Sequence, residues 1–376
     1  MFHVSRNTTP SGTELLDSFE QQLRSILPTS WTLTAQPHSG GDRGIDAVFE
    51  LTGPDRSRAR VFMEIKRAVE PRDVAAALNQ IKVYQRRESG GAGETGKGQE
   101  QLAVVAAPYL SPLARERLAE AGAGWFDATG NMRVQLERPS LFIDRPGATR
   151  SPYTEPDDRR LQSLRGPAAA RVVRAILDGP GRLGVRALAA EAKVGPATSS
   201  RVLDLLVRDA LVDRDPVGAV ISVRKQSLVR RWAQDYGLTT TNHAVSVLAP
   251  RGINRLLDDL ARHQGPYALT GSAAARAYLP PDQAAVAPLV LPVIFVPDAV
   301  SAQRSLELRR AERGANVLLV EPFDDVVYRG TTVRDGLRYV SSSQAVVDLL
   351  TGPGRSPEEG SQLIDALGQQ DLEWNR

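Results

Sequence analysis

The chain has 376 residues, a formal net charge of +3 and an apolar fraction of 41%. This length predicts two or three domains, and no window approaches the run of about 18 uncharged apolar residues that a membrane-spanning helix needs. Cysteine is absent, which excludes disulfide bonds and cysteine-liganded zinc, and the four histidines are too scattered for a local metal motif. The N-terminal segment lacks the apolar core of a signal peptide, so we expect a cytoplasmic, non-membrane protein.

The first 145 residues predict a mixed α/β fold. Apolar side chains at helical spacing predict a helix over residues 12–27. Two strand-like stretches, 44–51 and 60–67, flank a turn-rich segment, and a helix that Pro71 opens follows over residues 71–87. The remaining elements of this block are a strand over 101–110, a capped helix over 111–122 and further strands over 124–136 and 140–144.

A glycine-rich stretch, GGAGETGKGQ from Gly90 to Gln99, nearly matches the phosphate-binding loop G-x-x-x-x-G-K-[ST]. Such a loop needs a buried strand before it and a helix N-terminus after it, so that backbone N–H groups point at the phosphates. Here a charged helix end leads in, a strand leads out, and Gly98 replaces the magnesium-binding Ser or Thr. The stretch therefore predicts a flexible connection rather than a nucleotide site.

Two carboxylates and a lysine are placed together by the first two strands. Period-2 alternation puts Glu64 and Lys66 on the same face of one strand, and a hairpin brings Asp46 beside Glu64. Two carboxylates that share a site bind a hard cation such as Mg²⁺, which activates water, while a nearby ammonium stabilises the transition state. The pattern predicts a Mg²⁺ site at Asp46 and Glu64, with Lys66 as a catalytic group.

This arrangement resembles the PD-(D/E)xK superfamily of restriction-endonuclease-like proteins, in which an Asp is followed, one hairpin later, by Glu-x-Lys. The next helix carries Gln80 and Tyr84, which fit the Q-h-x-x-Y motif of RecB-like nucleases. The resemblance covers roughly residues 10–145 and implies a restriction-endonuclease-like α/β domain. The site residues that it implies are Asp46, Glu64, Lys66 and Gln80, together with an acidic residue of the first helix, Glu20 or Glu14. Two interpretations of these residues are open: an active site that cleaves DNA, and an ion pair retained in a domain that does not cleave.

The middle block, residues 160–235, contains most of the positive charge. From Arg159 to Arg231 there are 15 Lys/Arg and 6 Asp/Glu, a local net charge of +9 that leaves −6 for the rest of the chain. Three short helices, over 166–179, 184–192 and 198–210, and two short strands after them predict a winged helix-turn-helix. Such a block is expected to bind a polyanion. The alternatives are a solvated arginine-rich surface and a winged helix that contacts protein.

The expected DNA contacts lie on the last two of these helices and on the wing. The exposed N-terminal end of the recognition helix meets base edges, whereas residues of the second helix and the wing contact the phosphate backbone and fix position rather than sequence. The predicted DNA-binding residues are Arg186, Thr198, Ser199, Arg201, Arg224 and Lys225.

The C-terminal block, residues 245–370, again predicts an α/β fold, with strands over 288–296 and 315–322 and a helix over 341–350. Gly271 and Ser272 look like the helix start of nucleotidyltransferases, but the next strand lacks the carboxylates of that family's metal site, so no metal is expected. The block resembles the C-terminal part of AbiEi-type antitoxin and regulator proteins, and implies a degenerate nucleotidyltransferase-like domain. A plain structural or dimerisation domain is the alternative.

Together these patterns predict an α/β multidomain protein that binds double-stranded DNA through its winged helix. The predicted domains are 1–148 (nuclease-like), 158–236 (winged helix) and 243–376 (AbiEi-like). The first interpretation is a transcription regulator of antitoxin type, which the C-terminal block favours. The alternative is a Mg²⁺-dependent DNA endonuclease in defence against foreign DNA, which Asp46, Glu64 and Lys66 favour. A second copy of the chain and a toxin or defence-system protein are the further partners considered.

Overall fold

The computed structural model describes residues 9–36, 45–91, 99–149, 151–153, 161–179, 181–311 and 313–375. The chain divides into two compact units, Met1–Arg159 and Arg160–Arg376, and each mixes helices with strands, as expected for an α/β multidomain protein. The first unit contains the segment predicted to be nuclease-like, and the second contains both the segment predicted to be a winged helix and the C-terminal block. No helix in these ranges is long and apolar enough to cross a membrane.

The first unit begins with a helix that a capping box starts: the Ser11 hydroxyl accepts from the Glu14 N–H, and the Glu14 carboxylate accepts from the Ser11 N–H. A one-turn 3-10 helix, Pro71–Asp73, precedes the second helix. The elements are α1 (Gly12–Ile26), β1 (Thr32–Gln36), β2 (Ala47–Thr52), β3 (Arg58–Ile65), α2 (Val74–Gly91), β4 (Glu100–Ala107), α3 (Pro112–Glu120), β5 (Gly124–Asp127), β6 (Met132–Leu136) and β7 (Leu141–Arg145).

These seven strands form one sheet in the order in which they occur in the chain. The β3–β4 and β4–β5 pairs are parallel and the other pairs are antiparallel. One face of the sheet packs on α1 through the buried side chains of Leu15, Phe19 and Leu23. The other face is covered over its middle strands by α2 and α3, with Leu78 and Leu118 in that second core. The sheet is therefore the middle of three layers.

Helix α2 leads into the glycine-rich stretch and strand β4 leads out of it, as expected from the sequence. This order is the reverse of the strand–loop–helix order that a phosphate-binding loop needs. Residues 92–98 of the stretch lie outside the described residues.

The second unit opens with the three helices and the hairpin that the sequence predicts. A three-residue turn, residues 193–195, joins the second and third helices, and Lys193 in this turn adopts a left-handed conformation with φ 53°. One further helix, directly after the hairpin, was not predicted. The elements are α4 (Pro167–Leu177), α5 (Val185–Ala192), α6 (Pro196–Arg208), β8 (Val212–Arg214), β9 (Val220–Val223) and α7 (Lys225–Ala233).

A second seven-stranded sheet forms the rest of this unit, in the order β13-β10-β14-β12-β11-β16-β15. The predicted strand over 288–296 shortens to Val293–Phe295, because Pro288 and Pro292 have no N–H to donate to a neighbouring strand. The elements are β10 (His243–Leu248), α8 (Ile253–Arg262), β11 (Ala268–Thr270), α9 (Ser272–Tyr278), β12 (Val293–Phe295), α10 (Ala299–Ser305), β13 (Arg309–Arg310), β14 (Val317–Glu321), β15 (Thr332–Arg334), β16 (Leu337–Tyr339), α11 (Ser342–Leu350) and α12 (Ser356–Gln370).

Helix α4 is joined to this C-terminal part by a buried arginine. Arg174 is 3% exposed, and its guanidinium donates to the Ser341 hydroxyl and to the Arg329 carbonyl, both at 2.8 Å, and to the Val326 carbonyl. Burial of a charged group costs stability unless its donors find partners, and here both terminal nitrogens have acceptors while Nε has none among the described residues. The winged-helix segment and the C-terminal block therefore share one core.

A buried carboxylate lies in the same core. Asp348 of α11 has no exposed surface, and it accepts hydrogen bonds from the Tyr236 hydroxyl at 2.6 Å, the Thr270 hydroxyl at 2.6 Å and the Gln344 amide at 2.9 Å. Burial raises the pKa of this carboxyl to about 6, although the three donors act in the opposite direction. These bonds tie the segment after α7, strand β11 and helix α11 together.

Candidate active site

The side chains of strand β3 alternate between the two faces of the sheet, and this alternation determines the face on which the candidate site lies. Its odd-numbered side chains, such as Val61 and Met63, are buried against α1, while its even-numbered side chains point toward the α2 side of the sheet. In the β2–β3 pair, Ala47 lies opposite Met63 and Val48 opposite Phe62. Continuing this register by one residue puts Asp46 opposite Glu64.

The Asp46 carboxylate is fixed across this hairpin by the backbone. The Asp46 N–H donates to the Met63 carbonyl at 3.1 Å, and one carboxylate oxygen, Oδ2, accepts from the Ile65 N–H at 2.6 Å. One hydrogen bond therefore holds the backbone of Asp46 and the other holds its exposed carboxylate at the end of the strand pair. Such bonds reduce the conformational freedom that Asp46 loses when it binds a ligand.

Glu64, Lys66 and Gln80 form a connected cluster beside it. Glu64 is 4% exposed, and its Oε1 lies 2.7 Å from the Lys66 ammonium. The same ammonium donates to the Gln80 Oε1 atom at 3.1 Å, so helix α2 and strand β3 both orient it. The structure thus brings together Asp46, Glu64, Lys66 and Gln80, which are four of the five residues that the sequence assigned to one site.

Electrostatics distinguishes Glu64 from an ordinary surface carboxylate. Burial raises the pKa of Glu64, and the negative charge of Asp46 raises it further, whereas the Lys66 ammonium and the Gln80 amide lower it. Two carboxylates beside one ammonium leave a net charge of −1 when all three groups are ionised. A partly dehydrated site of this charge attracts cations.

One oxygen of this cluster shows that the residues fit a hard cation. The Glu64 Oε2 atom is buried and makes no hydrogen bond, while Oε1 is occupied by Lys66. A buried carboxylate oxygen without a partner is uncommon, because its dehydration is then uncompensated. Mg²⁺ prefers carboxylate oxygens and keeps several waters, so Glu64 and Asp46 together suit it.

Helix α1 does not add a carboxylate to this cluster in the contacts seen. The Glu20 carboxylate pairs with Arg24 of the same helix at 2.6 Å, and the Glu14 carboxylate takes part in the capping box. Both acids therefore have local partners one turn away or less. Both pairings follow sequence spacings that could have indicated them, the capping box at Ser11 and Glu14 and the i,i+4 pair of Glu20 and Arg24.

The predicted DNA-binding residues of the recognition helix differ in exposure. Arg201 and Arg186 are exposed, Thr198 is half-buried, and the Arg201 guanidinium also donates to the Ala197 carbonyl of its own helix at 3.3 Å. Ser199, in contrast, has no exposed surface and packs inside the helical core. Because it lies on the inner side of α6, Ser199 does not reach the surface where a base edge would lie.

The two predicted wing residues lie at the base of the hairpin rather than at its tip. Arg224 donates to the Ala210 carbonyl at 2.7 Å and pairs with Asp213, and the Lys225 ammonium lies 2.7 Å from Asp371 and 3.6 Å from Glu373. The Lys225 side chain is only 12% exposed. Its charge is therefore already neutralised by the C-terminal segment, which removes it from the expected phosphate contacts.

Many basic residues of the middle block are paired in a similar way. Some partners, such as Asp324, Asp235 and Asp371, lie outside the segment over which the local charge of +9 was counted. That charge overstates the field that the folded unit presents to a polyanion. The basic residues in these ion pairs are Arg165, Arg171, Arg174, Arg182, Arg214, Arg224, Lys225 and Arg231.

The serine at the start of α9 makes a hydrogen bond within the second unit. Gly271 has φ +61°, a left-handed conformation that favours glycine, and the Ser272 hydroxyl donates to the Glu359 carboxylate at 2.5 Å. This serine therefore joins α9 to α12.

Comparisons with known proteins give no indication of the function. No protein-family model, no curated protein and no solved structure matches the chain. Within the described ranges, no group of three or more His, Cys, Asp or Glu side chains is placed to hold a metal ion. The candidate metal ligands are accordingly a pair, Asp46 and Glu64.

Proposed function

We propose that the first unit is a Mg²⁺-dependent endodeoxyribonuclease domain. The observation that carries this proposal is the convergence of Asp46, Glu64, Lys66 and Gln80 at one end of the β2–β3 hairpin, with a buried Glu64 oxygen that lacks a partner. Lys66 satisfies one oxygen of this buried carboxylate, and the other oxygen, Oε2, is left for a cation.

The order of elements supports the same proposal. The first unit runs α1-β1-β2-β3-α2-β4, with the acid before β2, Glu-x-Lys at the end of β3 and the glutamine on the following helix. The PD-(D/E)xK resemblance implies these positions. The fold of the domain is accordingly proposed to be restriction-endonuclease-like, and the predicted C-terminal nucleotidyltransferase-like fold stays a prediction.

Each residue has a distinct part in hydrolysis of a phosphodiester bond. Asp46 and Glu64 hold the cation, which, when bound, supplies a Lewis acid for a phosphate oxygen and lowers the pKa of water. The oxygen of water would bond to phosphorus while the P–O bond to the leaving oxygen breaks, and the proton of that water would reach the leaving oxygen through solvent. The Lys66 ammonium would stabilise the negative charge that grows on the phosphate in this step. Gln80 keeps that ammonium oriented, and the backbone hydrogen bond from Ile65 keeps Asp46 oriented.

The test uses the full chain, supercoiled plasmid and Mg²⁺ or Mn²⁺, with EDTA as the metal-free control. Asp46→Asn is the decisive variant, since an asparagine oxygen still accepts from the Ile65 N–H while the charge is lost. We expect nicking or linearisation by the wild type and a loss of about 10²–10³-fold in the variant. Asp17→Asn, at an exposed position of α1, is the matched control and should cleave normally. Equal cleavage by the Asp46→Asn variant and the wild type would remove the proposal.

Duplex-DNA binding by the second unit is a second function, which a different observation favours. Helices α5 and α6 are joined by the three-residue turn, a hairpin follows them, and Arg186 and Arg201 are exposed on these two helices. This module would direct the nuclease to DNA. If the first unit does not cleave DNA, the alternative is a transcription regulator of antitoxin type. In the plasmid experiment, a wild-type protein that binds the plasmid without nicking it would support this alternative.

A further inference from the structure

An exposed aromatic side chain lies on an edge strand of the first sheet. Phe142 of β7 is 63% exposed, and β7 is the last of the seven strands. The Arg133 guanidinium lies over its ring, 5.3 Å from the ring centre, and also 5.5 Å from the centre of the Trp125 ring. We name Trp125, Arg133 and Phe142 the stacking surface.

Arg133 is held in place by polar partners as well as by the two rings. Its guanidinium lies 3.0 Å from the Asp144 carboxylate and donates to the Gln135 amide oxygen at 2.9 Å. The positive charge is therefore already neutralised, while the Phe142 ring stays accessible. Such a surface suits a neutral planar group rather than a phosphate.

Trp125 adds an unsatisfied donor to the stacking surface. It is 6% exposed and packs in the core under α2 and α3. Within the described ranges, its indole Nε1–H has no acceptor. A buried indole N–H usually has a partner, so this surface retains a donor for a ligand.

The strand register puts the stacking surface on the same face of the sheet as the candidate active site. Glu64 lies opposite Val105, Val105 opposite Trp125, and Trp125 opposite Arg133. Residues opposite each other in neighbouring strands share a face. Four strand spacings and two residues of rise separate Glu64 from Phe142, roughly 20 Å. Several nucleotides of a single strand span such a distance.

Resting on the proposed nuclease function, we propose that Phe142 stacks on an unpaired base of the substrate strand, several nucleotides from the phosphate held at Asp46 and Glu64. Every base has a π-face, so this contact tolerates any sequence. Bases inside a duplex already stack on each other. The stacking surface therefore favours a single strand, or an opened part of a duplex, as the substrate.

The experiment uses the full chain, Mg²⁺ and a single-stranded oligonucleotide of about 12 nucleotides, in which one abasic position is moved along the strand. Phe142→Leu removes the ring and keeps an apolar side chain, whereas Phe142→Trp keeps a ring. Val333→Ala is the matched control, because Val333 is also 63% exposed on an edge strand, β15 of the second sheet. Melting temperatures show whether each variant is folded.

We expect Phe142→Leu to lower kcat/KM about 5- to 100-fold, mainly through KM, and Phe142→Trp and Val333→Ala to stay close to wild type. Removal of one base, away from the cleaved bond, should weaken cleavage by the wild type and not by Phe142→Leu. If every abasic position affects these two proteins equally, the inference is wrong while the nuclease proposal stands.

If the wild type cleaves no DNA, the nuclease proposal fails by itself, and the same series is measured as equilibrium binding at low salt. An abasic position that weakens binding by the wild type and not by Phe142→Leu still supports the stacked base, and equal effects overturn it. If Phe142→Leu instead loses a dimer seen by sedimentation and binds the oligonucleotides as the wild type does, Phe142 contacts a second copy of the chain and the inference is wrong.

Discussion

Two buried carboxylates, Glu64 in the first unit and Asp348 in the second, differ in how their oxygens are satisfied. Burial raises the pKa of both groups. Asp348 accepts three hydrogen bonds and is enclosed on all sides, whereas Glu64 leaves Oε2 without a partner and lies beside exposed Asp46 and half-exposed Lys66. A raised pKa therefore does not by itself indicate a site. An unsatisfied oxygen next to an accessible surface is the more informative sign.

The same distinction applies to the basic residues of the second unit. Lys225 is neutralised by Asp371 and Glu373, while Arg201 extends from an exposed helix face. Whether a charged side chain already has an ion-pair partner thus distinguishes side chains that stabilise the fold from those that are available to a ligand. Four predictions sharpen this comparison, beginning with the largest effect.

Asp348→Ala should lower the free energy of unfolding by about 3–5 kcal/mol, because it leaves the Tyr236, Thr270 and Gln344 donors buried without an acceptor. Chemical denaturation measures this change. Plasmid cleavage at a temperature where the variant is folded should be unaffected. Unchanged stability would contradict the structural role assigned to Asp348.

Glu64→Gln should have the opposite profile. Cleavage should fall by about 10²–10³-fold, or about 3–4 kcal/mol in activation free energy, because the cation loses a charged ligand. The free energy of unfolding should change by less than about 1 kcal/mol, since Lys66 is exposed enough to be hydrated without its partner. A variant that cleaves normally but unfolds easily would make Glu64 structural.

Asp348 should also make stability depend on pH in a defined direction. Its folded-state pKa of about 6 lies above its ordinary value of 3.8, so its contribution is fully present below about pH 4 and is lost as pH rises through 6. The shift corresponds to about 3 kcal/mol. Relative to wild type, Asp348→Asn should therefore gain about that much stability between pH 4 and pH 7.

Unfolding curves of both proteins at each pH give this difference, in which the titration of all other groups cancels. Asp17→Asn controls for the general effect of removing an acidic charge. A difference between Asp348→Asn and wild type that stays constant with pH is the contrary outcome.

Arg201→Ala should weaken specific duplex binding by about 1–3 kcal/mol if the arginine contacts a base. Lys225→Ala should leave duplex binding nearly unchanged and lower stability instead, because Asp371 and Glu373 lose their partner. Titrations at several salt concentrations distinguish the two. Equal losses of DNA affinity in both variants would mean that Lys225 leaves its ion pair when DNA binds.

Much of the secondary structure could be predicted, because apolar periodicity is a local property of the chain. The capping and spacing of α1, the alternation of β3 and the proline that opens the segment before α2 all lie within one element. Strand β1 was not predicted, since only Leu33 among its five residues is buried and no alternation results. Its position depends on pairing with β2.

The sequence by itself determined the candidate site in the first unit. Asp46, Glu64 and Lys66 are joined by one hairpin, and Gln80 follows on the next helix, so strand register and helical spacing suffice to bring them together.

The tertiary structure alone decided which polar groups of the second unit are saturated. Tyr236 and Asp348 are 112 residues apart, and Lys225 and Asp371 are 146 residues apart, so no local pattern relates them. Ser199 likewise is buried by neighbouring helices and not by its own sequence context. Burial and ion pairing depend on which surfaces meet after long-range packing, and that packing is set by the whole core rather than by any single segment.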